Sequence, residues 1–294
     1  MVIVELCGGL GNQMFQFALY AKLKKLKKDV HLDSSAYHND NFRIYELDKF
    51  CGIDPKFISF TDFFCEHGVK GRALFLVKKR FIEVFKRVYR DKIIVYQPDI
   101  FKMNWIKLEG YWQNEKYFSD MKEEIRDYFT FDPKLVDNRN ALLAQRVQNE
   151  NSVSIHIRRG DYIDPQNRAL YGNVCTIDYY RKASDFIFQR IDNPIFYLFS
   201  DDMDWTKENI SLLLGMEYDE RRVTYIDFNR GEKSFLDMYL MSKCKHHIIA
   251  NSTFSWWGAW LGTNEDKIVI SPSRWFDNQT VSDIICDDWI RIEG

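Results

Sequence analysis

Residues 153–162 read Val-Ser-Ile-His-Ile-Arg-Arg-Gly-Asp-Tyr, and the rest of the chain can be interpreted around this stretch. Its first half alternates β-branched and small residues, which predicts a buried strand from Val153 to Ile157. Two arginines and a glycine follow, and Gly160 permits a sharp turn that residues with side chains resist. Parallel sheets bind their ligands at the carboxyl ends of the strands. The stretch therefore predicts one strand of a parallel α/β sheet, with polar side chains at its ligand-binding edge.

The polar residues at this strand end are suited to binding an anion. Arg158 and Arg159 each carry a planar guanidinium, which can bind a phosphate or a carboxylate through two parallel hydrogen bonds. His156 lies two positions before Arg158 and so on the same face of the strand. Asp161 can orient an arginine or accept hydrogen bonds from a ligand. A surface ion pair at a strand end is the simpler alternative, but the whole polar group favours an anionic ligand, with a diphosphate as the leading candidate.

The composition excludes several classes of protein. The chain has 294 residues, enough for two domains, and 46% of them are hydrophobic, enough for a large core. The formal charge of −2 argues against nucleic acid as a partner. No apolar run reaches the length of a membrane span, and the first residues predict a strand rather than a signal peptide. The six cysteines form no Cys-x-x-Cys pair, so reduced thiols in a cytoplasmic protein are expected.

The N-terminal residues predict a strand, a glycine loop and a helix. The strand covers 2–6, the loop contains three glycines, and the helix runs from about Met14 to Lys27. Glycines let backbone amides approach a ligand, and a helix N-terminus favours an anion. Asn12 and Gln13 could bind sugar hydroxyls or phosphate, but a tight turn that packs the helix on the strand is the alternative. Val30–Asp33 is expected to be the second strand.

The middle of the chain is expected to contain shorter elements and the domain boundary. Residues 69–92 predict a basic amphipathic helix, which is interpreted as a solvated helix with a buried stripe or as a contact with an anionic membrane surface. Three elements follow: a strand at Ile93–Tyr96, a helix at Glu115–Phe129 and a polar helix at Leu135–Asn149. The boundary is placed within 132–150, which gives domains of 1–140 and 141–294.

The second half alternates regularly between strands and helices. After the strand at 153–158, strands are expected at Ile195–Phe199, Val223–Ile226, His247–Ala250 and Ile268–Ile270. Helices are expected near 177–191, 203–214, 232–243 and 255–262. This alternation predicts a parallel sheet wrapped by helices. Two such halves predict a two-domain enzyme with a cleft between the domains.

Three further strand ends or helix starts carry polar residues. Asp202 and Asp204 form an Asp-x-Asp pair, which is interpreted as a helix cap more readily than as a metal site. Residues 251–258 place hydroxyls before an aromatic helix, which favours phosphate binding, with a helix cap and core tryptophans as the alternative. Asp237 lies in an apolar helix, where an unpaired carboxylate is costly. It is a candidate acceptor for guanine N1–H and the exocyclic amine, with an ordinary salt bridge as the alternative.

Taken together, these segments resemble the bacterial α-1,2-fucosyltransferases. The motifs that carry the resemblance are Gly8 to Gln16, His156 to Tyr162, Phe199 to Asp202 and Ser252 to Gly258. The resemblance implies a GT-B fold, in which two Rossmann-like domains face a cleft, with the acceptor on the N-terminal side and the donor bound by the C-terminal domain. It implies inverting transfer of L-fucose from GDP-β-L-fucose to the 2-hydroxyl of a terminal galactoside, free or lipid-linked, without a metal or other cofactor.

The same resemblance assigns roles by position. Arg158 would hold the diphosphate and stabilise the departing GDP. The donor-binding set would be Asn12, Gln13, His156, Arg158, Asp237, Ser252, Thr253, Phe254 and Ser255. His156 and Asp237 would contact the guanine. The resemblance names no base for the acceptor hydroxyl; Asp161 is one candidate and Asp33 a weaker one. A GT-B transferase of another linkage or nucleotide sugar, and a non-catalytic nucleotide-sugar-binding protein, are the alternative functions.

Overall fold

The chain divides into two compact α/β units. The computed structural model describes residues 1–27, 29–38, 43–54, 86–92, 95–159, 172–215, 218–277 and 283–294. The units are Met1–Asp132 and Pro133–Gly294. The predicted boundary lies a few residues later, after residue 140. Each unit is built on a parallel sheet with helices, as the α/β class requires.

The first unit contains a four-stranded parallel sheet in the order β2-β1-β4-β3. The strands are β1 (Val2–Glu5), β2 (Val30–Asp33), β3 (Val88–Arg90) and β4 (Ile106–Glu109). Helix α1 (Leu10–Leu26) joins β1 to β2, and helix α2 (Lys122–Tyr128) lies near the end of the unit. Because β1 has β2 on one side and β4 on the other, the strand order reverses between β1 and β4.

Three predicted elements in this unit need correction. Residues 69–85 of the predicted basic helix lie outside the described residues, and its end is strand β3, because Val88 and Tyr89 pair with β4. The strand predicted at 93–96 is wrong for its described part, 95–96, which forms no strand. The helix predicted at 115–129 is two short 3-10 turns followed by α2, since Phe118 between the turns has non-helical dihedral angles.

The second unit contains a six-stranded parallel sheet in the order β10-β9-β8-β5-β6-β7. Its strands are β5 (Ser152–Ile157), β6 (Ile195–Ser200), β7 (Val223–Ile226), β8 (His246–Ile248), β9 (Val269–Pro272) and β10 (Ile290–Ile292). Its helices are α3 (Asn138–Asn149), α4 (Ile177–Phe188), α5 (Met203–Leu214), α6 (Phe235–Lys243) and α7 (Thr253–Leu261). The regular alternation expected here is confirmed.

Strand β5 lies in the middle of this sheet and is buried along its whole length. Val153, Ile155 and Ile157 pack on one face of the sheet against α4 and α5. The opposite face is covered by α3 and α6 through Ala144, Val147, Leu240 and Met241. A strand enclosed on both faces tolerates polar side chains only where they have hydrogen-bond partners or face a ligand. The polar residues at the end of β5 therefore indicate either such partners or a ligand site.

Two general expectations can be checked on the described residues. The five described cysteines (Cys7, Cys51, Cys175, Cys244 and Cys286) are free thiols, as expected. Within the described ranges, no helix combines the length and apolarity needed to cross a membrane.

Candidate functional site

The carboxyl ends of β8, β5 and β6 lie side by side in the second sheet. Ile155 is opposite Ile248 of β8, and Ile157 is opposite Ser200 of β6. The chain adds β6 and β7 on one side of β5 and then returns to add β8 on the other, so the strand order reverses between β5 and β8. Doubly wound sheets bind ligands at such a reversal. The fold therefore brings Arg158 and the loop after β8 to one edge, where the sequence predicts an anion site.

Arg158 leaves the end of β5 and meets the end of β6. Its Nη1 atom lies 2.9 Å from Oδ2 of Asp201, and both side chains are partly shielded from solvent. The other carboxylate oxygen of Asp201 accepts a 2.8 Å hydrogen bond from the backbone N–H of Arg159. One carboxylate thus fixes the guanidinium of Arg158 and the backbone of the next residue.

Arg159 contacts the N-terminus of helix α5 instead. Its Nε atom lies 3.2 Å from Oδ2 of Asp202, and its guanidinium stacks over the ring of Trp205 at 3.7 Å. The other oxygen of Asp202 accepts from the backbone N–H of Trp205 and caps the helix. The helix-cap interpretation of Asp202 is therefore confirmed. The two consecutive arginines have different partners and serve different local structures.

His156 carries a neutral imidazole on β5, two positions before Arg158. It is 7% exposed, and no described residue forms a hydrogen bond with its Nδ1 atom. Burial, followed by the nearby charge of Arg158, lowers the pKa of His156 to about 4. The ring of Phe254 lies 5.9 Å away. A buried ring nitrogen that lacks a protein partner in the described residues is available to a ligand.

The loop after β8 leads into helix α7 and carries the predicted phosphate-binding residues. Ser252 stands at the N-cap position, yet none of the described backbone N–H groups of α7 is capped by its side chain. Ser252, Thr253 and Phe254 are partly exposed. Ser255 is 1% exposed and its hydroxyl donates to the backbone carbonyls of Ala250 and Ser252, so it shapes the loop from inside. The first turn of α7 thus directs backbone donors to the same sheet edge as Arg158.

Asp237 belongs to a buried polar network on the first turn of α6. Its Oδ1 atom accepts a 2.9 Å hydrogen bond from Asn229, whose amide is also paired in both directions with that of Asn140. Asn140 in turn donates to Asp137, the cap of helix α3. Burial raises the pKa of Asp237 to about 7, although the Asn229 hydrogen bond and the charge of Arg230 lower it. The carboxyl group is oriented by amides rather than by an ordinary salt bridge.

In the first unit, the side-chain amides of Asn12 and Gln13, which were both candidates for ligand binding, have different roles. Gln13 is 0% exposed, and its side chain bonds to the backbone of Gly8, Ile44 and Glu46. It therefore has the tight-turn role that was the alternative, because its amide is engaged inside the loop. The Asn12 side chain accepts a 2.9 Å hydrogen bond from Gln113, which follows β4. Asn12 lies at the edge of its own sheet where the strand order reverses.

The N-terminus of α1 is already occupied by a carboxylate. Oε2 of Glu46 accepts a 3.1 Å hydrogen bond from the N–H of Leu10, the first residue of the helix. An acidic side chain at this position satisfies the helix terminus as an external anion would. The N-terminus of α1 therefore already has an anionic partner within the protein.

The two candidate bases differ in what the structure describes. Asp161 lies outside the described residues. Asp33 is 1% exposed and ends β2. Its oxygens face the N–H of Ser35 at 3.0 Å and Nζ of Lys107 at 3.2 Å, and Glu5 joins the same lysine at 2.7 Å. Asp33 is thus the buried member of an ion-paired cluster.

The sequence patterns did not indicate Asp201 as the partner of Arg158, nor Asn229 and Asn140 as the residues that orient Asp237. Asp201 could have been found, because two adjacent parallel strands in register place the residues that follow them side by side. Asn229 follows a predicted strand as well, and its role depends on a helix 89 positions earlier in the chain. No local sequence pattern reports such a pairing.

Two units that are each built on a parallel sheet with helices have the architecture of the GT-B-type fold, which confirms the expected fold class. The family model described as "Glycosyl transferase family 11" matches residues 87–293. The chain belongs to this family, and the resemblance to α-1,2-fucosyltransferases is confirmed at the level of the family.

Three similar proteins illustrate the range of the match. An alpha-1,2-colitosyltransferase of Escherichia coli is 35% identical over 100% of this chain and 99% of its own length. Galactoside alpha-(1,2)-fucosyltransferase 1 of Homo sapiens is 29% identical over 53% of this chain and 43% of its own. The structure of a mutant of Arabidopsis thaliana FUT1 in complex with GDP gives a TM-score of 0.50 at 14% identity, covering 93% of this chain and 71% of that one. This last likeness concerns the fold alone.

Proposed function

We propose that this protein is an inverting glycosyltransferase that transfers L-fucose from GDP-β-L-fucose to the 2-hydroxyl of a terminal galactoside. The observation that carries the proposal is the Arg158 guanidinium at the end of β5, the strand beside the strand-order reversal of the second sheet, where Asp201 holds it at 2.9 Å. Family membership supports the reaction class. The named activity of the human relative supports fucose and galactoside as substrates.

Different residues are expected to bind the diphosphate and the guanine base of the donor. Arg158 and the first turn of α7 would bind the diphosphate. As the glycosidic bond breaks, negative charge accumulates on the β-phosphate, and a guanidinium fixed in advance binds that charge more strongly in the transition state than in the ground state. The neutral His156 ring and the carboxylate of Asp237 would contact the guanine base.

The acceptor side of the proposal rests on the first unit. The edge of its sheet carries the Asn12–Gln113 amide pair and the carboxylates around Lys107. Amides and carboxylates accept hydrogen bonds from sugar hydroxyls, as a neutral galactoside requires. A loose transition state needs proton transfer from the acceptor only late in the reaction, so a weak base such as Asp161 would suffice.

Catalysis without a metal is part of this proposal. In the Asp-x-Asp pair, one oxygen of Asp202 caps α5 and the other is paired with Arg159. A divalent cation bound there would have to displace both contacts. Arg158 supplies the positive charge that a metal ion provides to the leaving group in other transferases.

A second donor is favoured by one specific observation. The colitosyltransferase relative matches the whole chain at 35% identity. Colitose differs from fucose by the absence of the 3-hydroxyl, so a donor that carries it on GDP would present the same diphosphate and base. The residues assigned here to diphosphate and guanine would serve either donor, so a GDP-activated 3-deoxy sugar is the alternative substrate.

The test measures GDP release from GDP-fucose and from GDP-colitose, with and without lactose and in the presence of EDTA. We expect release from GDP-fucose that depends on lactose, survives EDTA and is absent with a 2-deoxygalactoside in place of lactose. Arg158→Ala should lower the rate by about 10² or more. Arg158→Lys should restore only part of it, because the ammonium group keeps the charge but loses the two-pronged geometry.

The other outcomes separate the alternatives. Faster turnover of GDP-colitose than of GDP-fucose would select the second donor. Tight GDP binding without turnover of any acceptor would favour a non-catalytic binding protein or another acceptor, such as a lipid-linked glycan. Failure to bind GDP would overturn the assignment. Loss of activity in EDTA that added cations restore would overturn metal independence alone.

A further inference from the structure

We infer that Asp201 is the positioning residue for the diphosphate site: it fixes the guanidinium of Arg158 before the donor binds. The inference rests on the proposed function, in which Arg158 binds the diphosphate. It gives a specific role to Asp201, which the sequence patterns did not single out as a site residue. Three features of the described residues support it: strand register, the use of both carboxylate oxygens, and the contrast with the adjacent Asp202.

The strand register places Asp201 beside Arg158. Strands β5 and β6 pair in parallel with His156 opposite Phe199 and Ile157 opposite Ser200. The next residues along the two strands are Arg158 and Asp201. Since the two strands are central and buried, their ends have little freedom, and the pairing of the side chains follows from the pairing of the backbones.

Both oxygens of Asp201 are used to orient the residues after β5. Oδ2 is 2.9 Å from Nη1 of Arg158, and Oδ1 accepts the 2.8 Å hydrogen bond from the backbone N–H of Arg159. The backbone contact fixes the direction in which the chain leaves the strand. The side-chain contact then selects one conformation of a long arginine, which otherwise loses rotamer freedom when it binds a ligand.

The charge and the donor count of Arg158 allow this contact to coexist with a ligand. A guanidinium has five N–H donors in a planar fork, so one edge can bind a carboxylate while other donors bind phosphate oxygens. The Arg158 side chain is 28% exposed and that of Asp201 is 24% exposed. Partial shielding strengthens the pair relative to one on the open surface, where ion pairs contribute little.

Asp202 is the natural control. It has the same side chain one position further along, also carries an arginine pair, and has a similar exposure of 31%. Its contacts are the helix cap of α5 and Arg159, which stacks on Trp205. Replacing Asp202 with Asn should keep the cap, since Asn is as good an N-cap as Asp.

The experiment compares Asp201→Asn with Asp202→Asn by measuring the affinities for GDP and guanosine. In Asp201→Asn, one amide oxygen can still accept from the Arg159 N–H, but the charge opposite Arg158 is lost. We expect GDP to bind about 10- to 100-fold more weakly, in line with a lost hydrogen bond to a charged group. Guanosine lacks phosphates, so its affinity should not change. Asp202→Asn should keep both affinities within about threefold of the wild type.

A conservative variant and the turnover of the donor complete the test. Asp201→Glu keeps the charge and should recover part of the GDP affinity and of kcat. Equal losses for guanosine and GDP in Asp201→Asn would show a general structural role and overturn the inference, as would unchanged GDP affinity. Wild-type protein that does not bind GDP would instead overturn the proposed function, and the inference with it. Normal wild-type turnover with an unaffected Asp201→Asn would overturn the inference alone.

Discussion

At the scale of single residues, the site combines groups whose charge is set by burial. His156 is neutral because burial lowers its pKa to about 4, and Asp237 titrates near neutrality because burial raises its pKa to about 7. The identity of these residues was predictable from their position on a strand end and in an apolar helix. Their partners were not predictable, because Asn229 and Asn140 reach Asp237 through tertiary contacts that no local pattern encodes.

The pKa of Asp237 predicts how GDP binding depends on pH. Guanine N1–H and its amine are donors, so they need the ionised carboxylate. With a pKa of about 7 in the free protein, the carboxylate fraction falls about tenfold per pH unit below 7. We therefore expect the Kd for GDP to rise as the pH falls from 8 to 5.5, by more than tenfold in total, in isothermal titration calorimetry.

Two controls identify Asp237 as the group that titrates. Asp237→Asn cannot ionise, so its GDP affinity should be weak and independent of this titration. Inosine diphosphate lacks the exocyclic amine and should lose part of the affinity difference between pH 8 and pH 5.5. A wild-type profile that stays flat over this range would remove Asp237 from the guanine site.

At the scale of elements, the regular part of the fold was predictable and the irregular part was not. Helix α5 and strand β7 have the expected bounds, because uninterrupted strand–helix alternation gives each boundary a clear signal. Strand β3 was mistaken for the end of a helix, since three residues are too short to show a strand period. Strand β10 was missed for the same reason, and pairing with β9 stabilises it.

The conformation of the loop that follows β4 requires a glycine at position 110. Gly110 has φ +134, and an added Cβ would lie 2.2 Å from Cβ of Asp91. Asp91 holds this loop, because its carboxylate accepts a 2.9 Å hydrogen bond from the N–H of Trp112. We expect Gly110→Ala to destabilise the protein by about 2 kcal/mol or more, combining backbone strain with displacement of Asp91. Chemical denaturation measures this change directly.

Gly231→Ala is the matched control for Gly110→Ala. Gly231 also has a positive φ, +60, but an added Cβ would meet nothing within 4 Å. Gly231→Ala should therefore lower the free energy of unfolding only through backbone strain, by about 1 kcal/mol. Equal losses in the two variants would mean that the Asp91 contact contributes nothing to the fold of the loop.

At the scale of the whole molecule, the two units share one design and differ in the chemistry at the sheet edge. In each sheet the strand order reverses beside the first strand of the unit. The second unit carries Arg158, His156 and the first turn of α7 at this point, and the first unit carries amides and an ion-paired carboxylate cluster. The order of elements predicted the parallel sheet of the second unit and the first two strands of the first unit, and the family resemblance implied two Rossmann-like domains. The residue patterns alone did not separate the roles of the two halves, which only the family resemblance assigned, because the glycine loop before α1 also looked like an anion site. In the structure, Glu46 accepts a hydrogen bond at that helix terminus.

This difference predicts that GDP affects the two units unequally. At a concentration of 100 times its Kd, a ligand stabilises the species that binds it by about 2.7 kcal/mol. If GDP binds through Arg158, α7 and Asp237, its protection against hydrogen exchange should concentrate in Pro133–Gly294, above all at the ends of β5 and β6 and at the starts of α6 and α7. Amides in β1, β2 and α1 should exchange nearly as they do without GDP. In the Arg158→Ala variant, GDP should no longer protect most of the α7 amides, whereas in Asp202→Asn the protection should remain. If GDP protected Met1–Asp132 as strongly as the second unit, the guanine and diphosphate groups would have been assigned to the wrong sheet edge.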